Sequence, residues 1–296
     1  MRVFITGGSG LLGQYLNVEL NKQNILLTQY YKNIGNCSDF NSIQFPITDS
    51  KKLDDVFKIF KPDVVIHTAA VSSPERADEQ NPDQVYAANV KATADIAERC
   101  NMYNAKLVYT STDLVYAGYR GSMLKEDSKL IPISLYAETK LMGEMKIQET
   151  LEDYIILRVS LQVGFGKNHS INNFTKMYNN LKDGKTVKLF TDQYRTPLAL
   201  KESAKIISEL IQKNVKGEII NFGGSKRFSR YELGELTCSI AGFNKNLLSK
   251  LTMEEGKLAY KVADVSMDNA KLQSFGIQIK SLRDSIQEAI AEFERK

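Results

Sequence analysis

The strongest constraint on this chain is a cluster of glycines set between an apolar strand and an amphipathic helix. Val3 to Thr6 reads as the strand, and Leu11, Leu12, Tyr15, Leu16 and Leu20 fall on one face of the helix. Thr6-Gly7-Gly8-Ser9-Gly10-Leu11-Leu12-Gly13 joins the two. That order puts backbone N–H groups at a positive helix end, where the pyrophosphate of a dinucleotide can rest. Gly7, Gly10 and Gly13 let the backbone turn tightly, approach phosphates and pack the helix on a sheet, and Leu11 and Leu12 share the same cofactor-binding turn. An ordinary tight turn is the competing reading.

Strand-like and helix-like stretches then alternate. Ile25–Tyr30, a segment near Ile43–Ile47, Asp63–His67, Leu107–Ser111 and Tyr154–Val159 read as strands. Lys51–Phe60, a helix starting near Pro82 or Asp83, and Ser134 to about Leu151 lie between them. Helices near Ile171–Leu181, Lys201–Ile211, Ser229–Ala241, Met267–Ser274 and Leu282–Phe293 follow, with a strand at Glu218–Phe222. The pattern predicts an α/β fold: a Rossmann-type doubly wound parallel sheet with a smaller C-terminal substrate-binding lobe. The expected division is residues 1–160 and 196–222 for the dinucleotide-binding part and 161–195 and 223–296 for the lobe, with a ligand pocket between them.

Composition narrows the function classes. The 296 residues are 43% hydrophobic with only 18 Gly and 6 Pro, enough to bury a large core and too little for extended disorder. The net charge of +4 comes from interleaved signs, so nucleic acid is not implied. Cys37, Cys100 and Cys238 are too widely spaced for a disulfide framework or a zinc site and read as reduced cytosolic thiols. No secretory leader or membrane-spanning run is recognisable, and no His/Cys/Asp/Glu cluster has metal-ligand spacing. A soluble cytoplasmic protein is expected, with a homodimer left open.

Cofactor choice turns on the end of the second strand, where a carboxylate selects NAD and a basic residue tolerates the extra phosphate of NADP. Gln29-Tyr30-Tyr31-Lys32-Asn33 has no carboxylate, which favours NADP(H), with Lys32 at the phosphate, over NAD(H). Lys32 as a plain surface lysine competes. Asp49 is placed to accept from the adenine amino group, and Asp49 or Ser50 as the cap of the next helix is the alternative.

Tyr136 and Lys140 lie one turn apart on a predicted helix. A phenol with an ordinary pKa near 10 needs a neighbouring positive charge to exchange protons at neutral pH, and Lys140 can supply it while bonding the cofactor ribose. Thr112, leaving a strand 24 residues before Tyr136, can hold a carbonyl oxygen.

Together these residues resemble the extended short-chain dehydrogenase/reductase superfamily, and within it the dTDP-4-dehydrorhamnose reductase group. Pro62 to Ile66, Ala69-Ala70, Ser111-Thr112-Asp113, Tyr136 to Glu144 and Asp192-Gln193 followed by Pro197 carry the likeness. The resemblance implies Thr112, Tyr136 and Lys140 as the catalytic trio. It also implies Ala69, Ala70 and Asn89 on the cofactor side, and Ser72, Thr112, Asp113, Asp192, Gln193 and Arg195 toward a nucleotide sugar. It implies NADPH-dependent reduction of the C4 ketone of a 4-keto-6-deoxy nucleotide sugar, in polysaccharide biosynthesis. A nucleotide-sugar epimerase or dehydratase with bound NAD uses the same trio, and the scaffold also includes non-catalytic NADP-binding regulatory subunits. Leu114 and Leu161 depart from aromatic positions that face sugar in the family, and the chain has no Trp.

Of the remaining candidates, His67 reads as a core histidine and His169 as a solvated one. Lys226, Arg227 and Arg230 could face a diphosphate or form a solvated rim, and Glu75 to Glu79 reads as surface.

Overall fold

The computed structural model describes residues 1–295. Seven parallel strands build the central sheet: β1 (Arg2–Thr6), β2 (Ile25–Tyr30), β3 (Ser42–Gln44), β4 (Val64–His67), β5 (Lys106–Thr112), β6 (Tyr154–Val159) and β7 (Glu218–Phe222). Their order is β7-β6-β5-β4-β1-β2-β3. Side chains along each strand alternate between two cores, as the two-residue period requires. Val3, Ile5, Ile66, Val108 and Leu157 pack on one face with Leu16, Ile207 and Leu210. Phe4, Val65, Tyr109 and Ile156 pack on the other with Phe57, Ile96 and Ile147. β4 is buried throughout, which is why it reads as an unbroken apolar run.

Helices α1 (Gly13–Leu20), α2 (Ser50–Phe60), α3 (Ala92–Tyr103) and α4 (Leu135–Thr150) connect these strands. β3 is shorter than expected. Pro46 has no N–H to donate, and Phe45 and Ile47 pack into the core from the segment that follows the strand. The helix expected from Pro82 is interrupted: Pro82–Tyr86 passes through a π turn at Ala87–Lys91 before α3.

A further core gathers around Phe165, whose ring stacks on Phe293 with centroids 3.9 Å apart. It includes a parallel pair of short strands, Val187–Phe190 and Leu248–Leu251, that the periodicity does not reveal. Leu272 and Ile277, far along the chain, return to the sheet's own core. Among the described residues no helix is long and apolar enough to cross a membrane.

The order of strands matters for the site. β1 is flanked by β2 on one side and β4 on the other, so the chain reverses its winding there. At such a reversal the connections leave to opposite faces of the sheet, and a ligand crevice is expected beyond the carboxyl ends of the strands.

Candidate active site

The glycine loop fills one side of this crevice. Gly7 takes φ +69, and a Cβ on it would fall 2.7 Å from the Ala69 nitrogen in the loop leaving β4. A Cβ on Gly13 would fall 2.2 Å from the Gly7 carbonyl oxygen. Glycine is therefore required at both places for the loop to close on itself. Gly10 donates its N–H to that carbonyl at 2.9 Å and is exposed. No side chain caps α1, so its N-terminal end suits a phosphate. Leu11, Leu12, Ala69 and Ala70 are half-buried around this seat. The chain's own groups thus fit a dinucleotide.

Gln29 has a task the sequence reading did not assign. It is 1% exposed, accepts the Gly7 N–H at 2.9 Å through Oε1, and donates through Nε2 to the Phe45 carbonyl. It braces the glycine loop from beneath. Beyond it Tyr31 and Lys32 are exposed, with the Lys32 ammonium 5.4 Å from the Tyr31 ring centroid. Asp49 caps α2, accepting the Lys52 N–H at 3.0 Å.

On the other side, β5 ends at Thr112 and α4 begins behind Ser134, whose hydroxyl accepts the Ala137 N–H at 3.2 Å. The cap fixes where the first turn starts and so where Tyr136 stands. The Thr112 hydroxyl donates to Asp113 Oδ1 at 3.3 Å and acts on the nearby Tyr136 phenol. Burial pushes the phenol up to about 12, the Thr112 hydroxyl draws it down, and the Asp113 carboxylate raises it. The direction is opposite to the lowering expected from Lys140, so Tyr136 is a protonated donor at neutral pH. Lys140 is 3% exposed, and burial lowers it to about 7 against the upward pull of Glu144.

Asn89 ties the two halves together from the π turn, a distortion common where function demands a displaced side chain. Its Oδ1 accepts the Val71 N–H at 2.8 Å, and its Nδ2 donates to the Thr139 hydroxyl at 3.0 Å. His67 is a core residue, bonded to the Thr6 and Thr93 hydroxyls at 2.7 and 3.0 Å and held near 3 by burial, with Lys140 adding to the lowering.

Beneath the trio lies a network missed in the sequence. Arg158, 2% exposed, grips Glu144, 1% exposed, through Nη2 at 2.9 Å and Nε at 3.2 Å. Ser111 also donates to Glu144, and Arg158 reaches the Tyr116 hydroxyl at 3.0 Å, which donates to Asn221 at 2.6 Å. The only sequence signal was Glu144 four residues past Lys140.

Of the substrate-side candidates, Asp113 and Arg195 come together, carboxylate to guanidinium at 3.5 Å, next to Thr112. Burial raises Asp113 and lowers Arg195. Gln193 accepts from Arg230 Nε at 2.9 Å, and Arg230 falls to about 9 through burial and then the nearby charge of Arg195. Asp192 instead accepts the Met253 N–H at 3.0 Å, and Ser72 is exposed while Ser73 caps the short Pro74–Asp78 helix. Lys226 is exposed, and Arg227 pairs with Asp264 at 2.7 Å. Leu114 and Leu161 are half-buried and pack against neighbouring cores.

Fold and site together define an oxidoreductase of the extended short-chain dehydrogenase/reductase type. The chain belongs to the family described as RmlD substrate binding domain, which matches residues 1–295. It is 28% identical over 257 residues to a probable low-salt glycan biosynthesis reductase of Haloferax volcanii, covering 86% of this chain and 85% of that one. It is likewise 28% identical over 306 residues to the methionine adenosyltransferase 2 subunit beta of Mus musculus, covering 99% and 88%. A crystal structure of dTDP-4-dehydrorhamnose reductase from Bacillus anthracis in complex with NADP superposes with a TM-score of 0.84 at 24% identity, covering 98% and 99%.

Proposed function

We propose that this protein reduces the C4 ketone of a 4-keto-6-deoxy nucleotide sugar with NADPH, and that its substrate is dTDP-4-dehydro-L-rhamnose, giving dTDP-L-rhamnose. The observation that carries this reading is the meeting of the end of β5, at Thr112, with the first turns of α4, where the Tyr136 phenol is influenced by Thr112 and Lys140 follows one turn further along. NADPH, when bound, supplies hydride to the ketone. Tyr136, protonated at neutral pH, gives its proton to the oxygen as negative charge develops there. Thr112 shares the hydrogen bond to that oxygen and holds the phenol in line. Lys140 bonds the ribose and lends positive charge as the phenolate forms. Gly7, Gly10, Leu11, Leu12 and Gly13 hold the pyrophosphate, Ala69, Ala70 and Asn89 the nicotinamide side, and Lys32 and Asp49 the adenosine end. Asp113, Gln193 and Arg195 face the nucleotide sugar, with Asp192 and Ser72 at its rim. NADP in the B. anthracis reductase supports this cofactor, with NAD as the second choice. A cytoplasmic enzyme fits a reaction between soluble reactants, and a homodimer is compatible with it.

The test is a panel of thymidine- and guanosine-linked 4-keto sugars, following loss of reduced-cofactor absorbance and identifying products by NMR. Purification with tightly held NAD and no net oxidation supports an epimerase or dehydratase instead. The likeness to a methionine adenosyltransferase 2 subunit beta over nearly the whole chain favours a second reading, an NADP-binding partner of another enzyme. A stable co-purifying enzyme together with no turnover on any keto sugar supports it.

A further inference from the structure

We propose that Tyr109 is a positioning residue for the reaction: its ring face seats the Lys140 ammonium and keeps it charged at the edge of the cofactor crevice. The claim rests on the reductase reading only for its activity arm. Tyr109 lies on β5, three residues before Thr112, and is 0% exposed. The Lys140 nitrogen stands 4.0 Å from its ring centroid, well inside the range of a cation–π contact. The Tyr109 hydroxyl donates back to the Lys140 carbonyl at 3.4 Å, so one side chain meets both ends of the lysine. The approach depends on Gly143, where a Cβ would fall 2.4 Å from the Tyr109 oxygen. The His67 ring also packs on Tyr109, with centroids 5.5 Å apart.

The charges around Lys140 leave the ring an important share of the work. From β4 comes His67, which stays neutral because burial holds it near 3. From α4 itself come Tyr136, protonated at neutral pH, and Glu144. Glu144 draws Lys140 upward, but Arg158 of β6 and Ser111 of β5 already hold both its oxygens. Asn89, from the π turn, brings no charge. Tyr109 is itself held well above its ordinary value by burial, so its ring keeps the neutral phenol's electron-rich face.

The experiment replaces Tyr109 by Phe, by a series of fluorinated phenylalanines up to the pentafluoro ring, and by Leu. The Lys140 titration is read by NMR of the full-length protein labelled at lysine Cε, with Lys140→Arg assigning the signal. Tyr109→Phe keeps the ring and should leave the titration within about 0.3 unit of the parent. Tyr109→Leu should lower it by about one unit, the size of a desolvated cation–π contact. The fluorinated rings preserve shape, so they keep the test alive if the Leu variant does not fold, and the titration should fall stepwise as fluorine is added. The pH profile of NADPH-dependent turnover should move with it. An unmoved or raised titration in the Leu and pentafluoro variants, or a Phe variant shifted as far as Leu, overturns the proposal. A titration that moves as described while no keto sugar is turned over upholds the seat for Lys140 and removes the reductase reading alone.

Discussion

Lys140 should make the protein less stable than it could be, and replacing it by Met tests that directly. Burial moves its ammonium from 10.5 to about 7. A shift of that size corresponds to about 5 kcal/mol of cost to holding the charge in the folded chain. The Tyr109 ring returns about 1–2 kcal/mol of this. Lys140→Met should therefore stabilise the fold by roughly 3 kcal/mol near neutral pH, which for a chain of this size raises Tm by roughly 5 °C. The sign follows from the direction of the shift. Between about pH 7 and 10.5 the unfolded chain keeps a proton that the folded chain has released, so the parent's stability rises with pH across that window. The cost is fully present below it. Calorimetry of parent and variant at pH 6.5, 7.5 and 9 should show the largest gain at the acidic end and a shrinking one above. No gain, or a gain independent of pH, would show that the ammonium is not buried at a cost.

Other perturbations separate chemistry from architecture. Tyr136→Phe should cut turnover by at least about a hundredfold while NADPH affinity, read by fluorescence titration, stays near the parent's. Full activity in that variant would discard the proton-transfer role. Glu144→Gln leaves Arg158 buried without its partner and should cost about 3–5 kcal/mol, seen as a lower urea midpoint with unchanged slope. Gly13→Ala drives a methyl into the Gly7 carbonyl, so NADPH binding should weaken at least about tenfold, since a one-ångström displacement of a positioning loop carries a penalty of that order or more. Asp49→Ala removes a helix cap worth about 1 kcal/mol, whereas Asp49→Asn should keep the cap. Weakened NADPH binding in the Asn variant would place the carboxylate at the adenine.

The sheet was readable because its strands are buried on both faces. Ile25–Tyr30, Tyr154–Val159 and Glu218–Phe222 end where turn residues or charges stop the apolar run. The glycine loop and the Tyr136–Lys140 spacing were readable because each is local: one turn of chain brings the groups together. What stayed hidden depends on contacts across long stretches of sequence. Arg158 inside β6 gives no sign that it meets Glu144, and Gln29 looks like any strand-end amide until Gly7 is laid above it. The strands at Val187–Phe190 and Leu248–Leu251 are half-exposed and pair only with each other, so neither shows a clean alternation.

The same distinction explains why the reaction is better defined than the sugar. The proposed proton transfer needs Thr112, Tyr136 and Lys140, which β5 and α4 bring together, with Ser134, Asn89 and the Glu144–Arg158 pair fixing the helix from three sides. In the proposed reaction, Asp113, Gln193 and Arg195 would recognise the substrate, with Arg230 bonded to Gln193 behind them; these residues come from separate segments and are poised against one another. Burial raises the one carboxylate and lowers both guanidiniums of that group, so each charge is held at a disadvantage. An anionic group entering there would favour the two guanidiniums directly, and its binding energy would appear partly as relief of that disadvantage. If the proposed sugar substrate binds here, this polar group rather than stacking on Leu114 or Leu161 would carry the discrimination between sugars.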